Sequence, residues 1–106
     1  MAATQRLEYR TAMATRWRRR RMCVLIADHP APAALREVSA AGAFLETNAR
    51  PALGADVELR HPEAGTIFGR VCSLADDGVG IAFECGERSV AFALAAIAAD
   101  MSRPAP

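Results

Sequence analysis

Thr66-Ile67-Phe68-Gly69-Arg70-Val71-Cys72-Ser73-Leu74, then Asp76-Asp77-Gly78, then Val79-Gly80-Ile81-Ala82-Phe83-Glu84 is the stretch that decides the fold. Two apolar runs of strand length flank an Asp-Gly pair, the strongest short-range signal for a tight hairpin. An antiparallel pair is therefore predicted. Working back from it, Asp56-Val57-Glu58-Leu59-Arg60 alternates polar and apolar, as a half-buried strand does, and His61-Pro62-Glu63-Ala64-Gly65 reads as the turn between. Ala43 to Thr47 is a further short strand, separated from Asp56 by a loop from Asn48 to Gly54. Met22 to Asp28 is a β-branched apolar run. His29-Pro30-Ala31-Pro32 is predicted to break it as a turn, because proline cannot donate to a ladder, and Ala33 to Val38 to return. At Ser39-Ala40-Ala41-Gly42 the chain turns again, with Gly42 read as a residue able to take positive φ.

Six strands at short spacing predict a small antiparallel barrel or sandwich. The period then changes. From Ser89 onward Val90, Leu94, Ile97 and Met101 fall at helical spacing in an Ala-rich segment, so one C-terminal α-helix is predicted. Gly86 ends the last strand, Ser89 is the expected N-cap, and the Val90–Met101 stripe is expected to pack on the barrel or across its mouth. The fold class is all-β with one helix.

With 106 residues the chain has room for about one domain, and its 52% apolar and 24% charged content is that of a globule. Lysine is absent, so all 13 basic residues are Arg. The formal charge of +1 hides a division: residues 1–21 hold seven Arg and one Glu, and the rest hold six Arg and eleven acids. A basic leader ahead of a mildly acidic body suits a polyanion, a phosphate-bearing ligand or an acidic partner. Residues 1–15 carry no sustained period and are expected to form a flexible N-terminal arm, with residues 16–101 as the domain. Trp17 is read as a packing anchor.

Cys23, Cys72 and Cys85 are odd in number and lack C-x-x-C spacing, which argues against a disulfide framework or a zinc site. His29 and His61 both precede Pro and are expected in turns. With no nucleophile–base pair in view, no enzyme is expected. The leader lacks the apolar core of a secretory signal, and Met22–Ala27 is too short to span a bilayer, so no membrane span and a cytoplasmic location are expected.

Two features occur together: the Arg run before the first strand and Glu37-Val38-Ser39-Ala40-Ala41-Gly42 at a strand–turn–strand junction. Here the sequence resembles the PilZ domain family, whose pattern is R-x-x-x-R before the barrel and D/N-x-S-x-x-G on the next strand pair. Arg16-Trp17-Arg18-Arg19-Arg20 matches the first part, although Arg6-Leu7-Glu8-Tyr9-Arg10 also satisfies it. Glu37 to Gly42 matches the second except at its opening position, where Glu is longer than Asp by about 1.5 Å. Gly42-Ala43-Phe44-Leu45-Glu46 and Gly78-Val79-Gly80-Ile81-Ala82-Phe83 look alike too, so the likeness spans roughly residues 16–99.

The resemblance implies a six-stranded antiparallel barrel with a C-terminal helix that binds cyclic di-GMP, without cofactor or metal. By it, Arg16 and Arg20 grip guanine edges and phosphate, with Arg19 and Arg21 in support. Glu37 meets the guanine N1–H and N2–H, Ser39 offers its hydroxyl, and Gly42 lets the backbone pass close by. That chemistry is sound, since a guanidinium fork matches guanine O6 and N7, stacks on purines and pairs with phosphate. The output would be an effector protein, from a monomer or weak homodimer. The alternative is a degenerate PilZ-like adaptor that binds protein without nucleotide. Nucleic-acid polymers are disfavoured as partners by the acidic body and the few aromatics.

Overall fold

The computed structural model describes residues 21–101. Six strands run β1 (Met22–Ile26), β2 (Pro30–Val38), β3 (Gly42–Glu46), β4 (Asp56–His61), β5 (Gly65–Ala75) and β6 (Gly78–Phe83), followed by helix α1 (Glu87–Met101). Every pairing is antiparallel, and the sheet closes in the order β1-β2-β3-β6-β5-β4. Closure falls between β1 and β4, where Leu25 lies opposite Leu59. Of the two predicted architectures the barrel is the one formed. Full closure leaves no sheet edge to satisfy. The predicted arm, residues 1–15, and Arg16, Arg19 and Arg20 lie outside the described residues.

The interior follows the period of two. Cys23 and Leu25, Ala43 and Leu45, Val57 and Leu59, Ile67 and Val71, and Val79, Ile81 and Phe83 all point inward and are buried. Burial holds the Cys23 thiol up at about 11, so this cysteine is an inert core residue.

Four expectations are corrected. The prolines of the predicted first turn are in β2, which begins at Pro30 and pairs with β1 through Val24↔Pro32 and Ile26↔Pro30. Pro32 directs its carbonyl away from β1, where the Thr47 hydroxyl donates to it at 2.8 Å. Its nitrogen faces the same way, past the last β2–β3 pair, Ala34↔Glu46. Pro30 shares that parity, so neither missing N–H leaves a gap in the β1 ladder.

Ser89 is not the N-cap. The helix starts at Glu87, and Ser89 is buried within its first turn. The Ser89 hydroxyl accepts from the Gly86 N–H at 3.0 Å and donates to the Gly86 carbonyl at 3.1 Å. Gly86 therefore occupies the cap position, and Ser89 reaches back to it as the acid of a capping box does.

The helix is also rotated from its expected face. Ser89, Phe92, Ala93, Ala96 and Ala99 are buried against the barrel, whereas Val90, Leu94, Ile97 and Met101 are exposed. Small residues let α1 lie close over β5 and β2, and Phe92 alone reaches the barrel mouth. Its ring meets Phe83 and His61 edge-on, with centroids 5.7 and 6.0 Å away.

His61 is the last residue of β4, not a turn residue, and is only 4% exposed. Its Nδ1 accepts from the backbone N–H of Glu63 at 3.0 Å and of Ala64 at 2.9 Å, so the neutral ring carries its proton on Nε2. Burial lowers its pKa below the ordinary 6.5, outweighing the attraction of Glu63, and the Arg21 charge pushes the same way. The unfolded chain thus takes up this proton first as pH falls. The stability His61 contributes is complete above 6.5 and is lost on acidification below it. His61→Asn, which keeps an acceptor but cannot titrate, is expected to show a smaller fall in thermal midpoint from about pH 7.5 to about pH 5 than the wild type. Equal falls in the two proteins would contradict this.

Candidate functional site

On β2, Ala33 and Leu35 point inward, and strict alternation would send Glu37 into the apolar interior. A β-bulge prevents this. Leu35 pairs with Leu45, but the next pairs are Glu37↔Phe44 and Val38↔Ala43, leaving Arg36 as the extra residue. Arg36 and Glu37 consequently both face outward. The signal is present in the sequence: two charged residues in succession between Leu35 and Val38 interrupt a period of two. Cys72 and Ser73, between Val71 and Leu74, mark a second bulge on β5.

Arg36 is the group that sequence reasoning missed. Its Nη1 donates to Asp77 Oδ2 and to Glu46 Oε2, both at 3.0 Å, and its guanidinium lies 4.1 Å from the centre of the Phe44 ring. The hydrogen bond to Asp77, then that to Glu46, raises its pKa. Arg36 therefore ties the bulge to β3 and to the β5–β6 turn. Glu37 has no hydrogen-bond or ion-pair partner among the described residues and is exposed.

The turn that follows is closed by paired backbone bonds: the Ser39 N–H donates to the Gly42 carbonyl at 2.8 Å, and the Gly42 N–H returns to the Ser39 carbonyl at 3.3 Å. The Ser39 hydroxyl accepts from the Ala41 N–H at 3.1 Å, leaving its own proton directed to solvent. Gly42 does not have the positive φ expected of it; only Gly54 and Gly65 do. It is required for close approach instead. A Cβ there would run into the Ile81 carbonyl of β6.

Two hollows adjoin Glu37. The first, about 210 Å³, is lined by Arg21, Leu35 and Glu37 from the barrel and by Ala96, Ile97 and Asp100 from the helix, with Arg36 and Val38 between. The second, about 400 Å³, lies on the outer face of β3 and β6. Gly42, Gly80 and Ala82 form its floor, Glu37 to Ser39 one wall, and the Cys72–Ser73 bulge the other. Gly80 is bare because the Ser73 hydroxyl occupies the space a Cβ would need. Phe44, opposite Gly80 on β3, also lines this hollow.

Of the sequence-predicted residues, Glu37, Ser39 and Gly42 share this surface, and Arg21 stands at its helix side. The Arg21 carbonyl accepts from the Leu35 N–H at 2.9 Å, which fixes where the chain leaves the Arg run. Its Nη2 donates to the Ala99 carbonyl at 3.1 Å, placing a cation on the last turn of α1, which has no basic residue of its own. Its Nε lies 3.3 Å from Glu63 Oε1 without the alignment of a hydrogen bond. Arg21 thus docks the helix as well as lining the cavity.

Among the described residues no His, Cys, Asp or Glu cluster is arranged to hold a metal ion, and no helix is long and apolar enough to cross a membrane. No protein-family model matches the chain, and neither does any curated protein.

Proposed function

We propose that this chain is a small receptor of the PilZ kind that binds cyclic di-GMP in the cytoplasm and passes the signal to an effector protein. The observation that carries this reading is a shared cavity: Arg21, which ends the Arg run, and Glu37, which opens the E-x-S-x-x-G stretch, line the same hollow. Arg20 precedes Arg21 by one Cα step, about 3.8 Å, and Arg16 lies no more than about 18 Å from it. The Arg run therefore ends beside the opening of the E-x-S-x-x-G stretch.

The chemistry at hand suits a dianionic dinucleotide. Glu37, unpartnered and outward, can accept from the N1–H and N2–H of a guanine. Ser39 has a free hydroxyl proton for a phosphate or carbonyl oxygen. The hollow over Gly42, Gly80 and Ala82 offers small residues for a flat purine, with the Phe44 ring and the Ser73 hydroxyl at its border. Arg16 and Arg20 would supply the forks for phosphate and for guanine O6 and N7, with Arg19 adding positive potential. The reading is of a binding module.

Calorimetric titration of the full chain with cyclic di-GMP tests this. Saturable binding is expected, weakened roughly tenfold or more by Arg20→Ala and by Ser39→Ala, since each removes a hydrogen bond involving a charged group. Wild-type protein giving no heat and no chemical-shift change at high micromolar ligand would end the receptor reading and leave the adaptor.

A further inference from the structure

We propose that residues 1–20 of this chain cover the outer face of α1, with Trp17 seated against Ile97 and Met101. This inference does not depend on the nucleotide reading. Between Ser89 and Asp100 the helix carries no polar residue on any side. The face turned away from the barrel is the row Val90, Leu94, Ile97 and Met101, with Leu94 63% and Met101 77% exposed. Surface helices keep a polar outer face, and one that is apolar all round is covered on both sides.

The site at which the leading chain meets the barrel selects the occupant. The Arg21 side chain donates to the Ala99 carbonyl, so the leading chain joins the domain beside the last turn of α1. From Val90 to Met101 the row is about 17 Å long at 1.5 Å per residue. Twenty residues span about 30 Å even at helical rise, so the tether is sufficient.

Charge favours the same partner. The last turn of α1 has Asp100 and no basic residue, at the negative end of the helix dipole. Residues 1–20 bring six Arg against one Glu, four of the six between Arg16 and Arg20. The apolar content matches as well. Leu7, Tyr9, Met13 and Trp17 lie in this leader, including the only Trp and the only Tyr of the chain. Trp17 stands four residues before Arg21, so Ile97 and Met101 are the first residues of the row within its reach.

Because Trp17 is unique, its fluorescence reports the contact directly. In the full chain without nucleotide, its emission should be blue-shifted from that of free tryptophan and protected from acrylamide. Both properties should persist on dilution. Leu94→Glu, at a position already exposed, should shift the emission to that of the free indole while far-UV circular dichroism stays unchanged. Ile97→Ser should do the same with a smaller perturbation. The proposal is overturned by a Trp17 as quenchable as free tryptophan, or by emission that neither substitution moves. A blue shift that disappears on dilution also overturns it, because a second copy would then be the cover.

Discussion

Gly42→Val is expected to destabilise the barrel by about 3 kcal/mol or more, at the upper end of what overpacking costs. Any Cβ at residue 42 meets the Ile81 carbonyl, and this atom is backbone in a paired strand, so it cannot rotate aside. Gly42 is also the first residue of β3, opposite Ala82 of β6. Relief therefore means separating β3 from β6 at the point where the Ser39–Gly42 turn meets the barrel, and the Phe83 N–H would lose the Ala41 carbonyl it now binds at 2.8 Å. For a domain whose whole stability is about 5–15 kcal/mol, this is a large fraction. Chemical denaturation with an unchanged m-value and a lower midpoint would express it. Wild-type stability in the variant would show that β3 and β6 do not approach as closely as the structure has them. The Ser39 hydroxyl makes one exposed bond, to the Ala41 N–H, so Ser39→Ala should cost far less stability than Gly42→Val.

Phe92→Ala is expected to cost about 3–5 kcal/mol, the range for removing a buried aromatic ring. Phe92 is the single large side chain on the buried face of α1; its companions there are Ser89 and three alanines. Without it the helix keeps only Ala contacts and the Arg21–Ala99 hydrogen bond to hold it to the barrel. At about 4–8 °C per kcal/mol for a domain of this size, the thermal midpoint should fall by tens of degrees. A second readout separates loss of packing from general unfolding. Water admitted to the barrel mouth would reach His61, whose low pKa comes first from burial, and in the variant that pKa should rise toward its ordinary value of 6.5. The histidine proton signals, followed through a pH titration, would record the change. An unshifted His61 in a folded Phe92→Ala protein would mean that Phe92 does not shield it.

Leu94→Ala, in contrast, removes a side chain turned away from the barrel and should change barrel stability little. The contrast between Phe92 and Leu94 reverses what hydrophobic periodicity suggested. Both rows, Ser89-Phe92-Ala93-Ala96-Ala99 and Val90-Leu94-Ile97-Met101, have helical spacing. Reading by bulk selects the second. Packing over a closed barrel selects the first, because alanines permit close approach and one ring is enough to fill the mouth.

The candidate site was half legible. Ser39, Gly42 and Glu37 were marked by the order of residue types along one turn, and the structure brings them onto one surface. The grounds for Gly42 were mistaken, however: a turn can be read from four neighbouring residues, but the Ile81 carbonyl that demands glycine lies 39 residues away. Arg36 was passed over for a similar reason. Its partners Phe44 and Glu46 on β3 and Asp77 in the β5–β6 turn belong to two other segments, and only the folded barrel gathers them.

The sequence by itself determined the number of strands, the Asp-Gly hairpin and the presence of one terminal helix. These depend on local preference and on periods of two and about four, which neighbouring residues express without reference to the rest of the chain. Only the tertiary structure decided that the sheet closes, that Pro30 and Pro32 sit in a strand, which face α1 buries, and that Glu37 points outward. Each of those outcomes is set by backbone from a distant segment: the end of β3, the mouth of the barrel, the bulge that Phe44 and Ala43 impose on β2. Contacts between residues far apart in the chain have no local signature, so they exist only once the chain is folded.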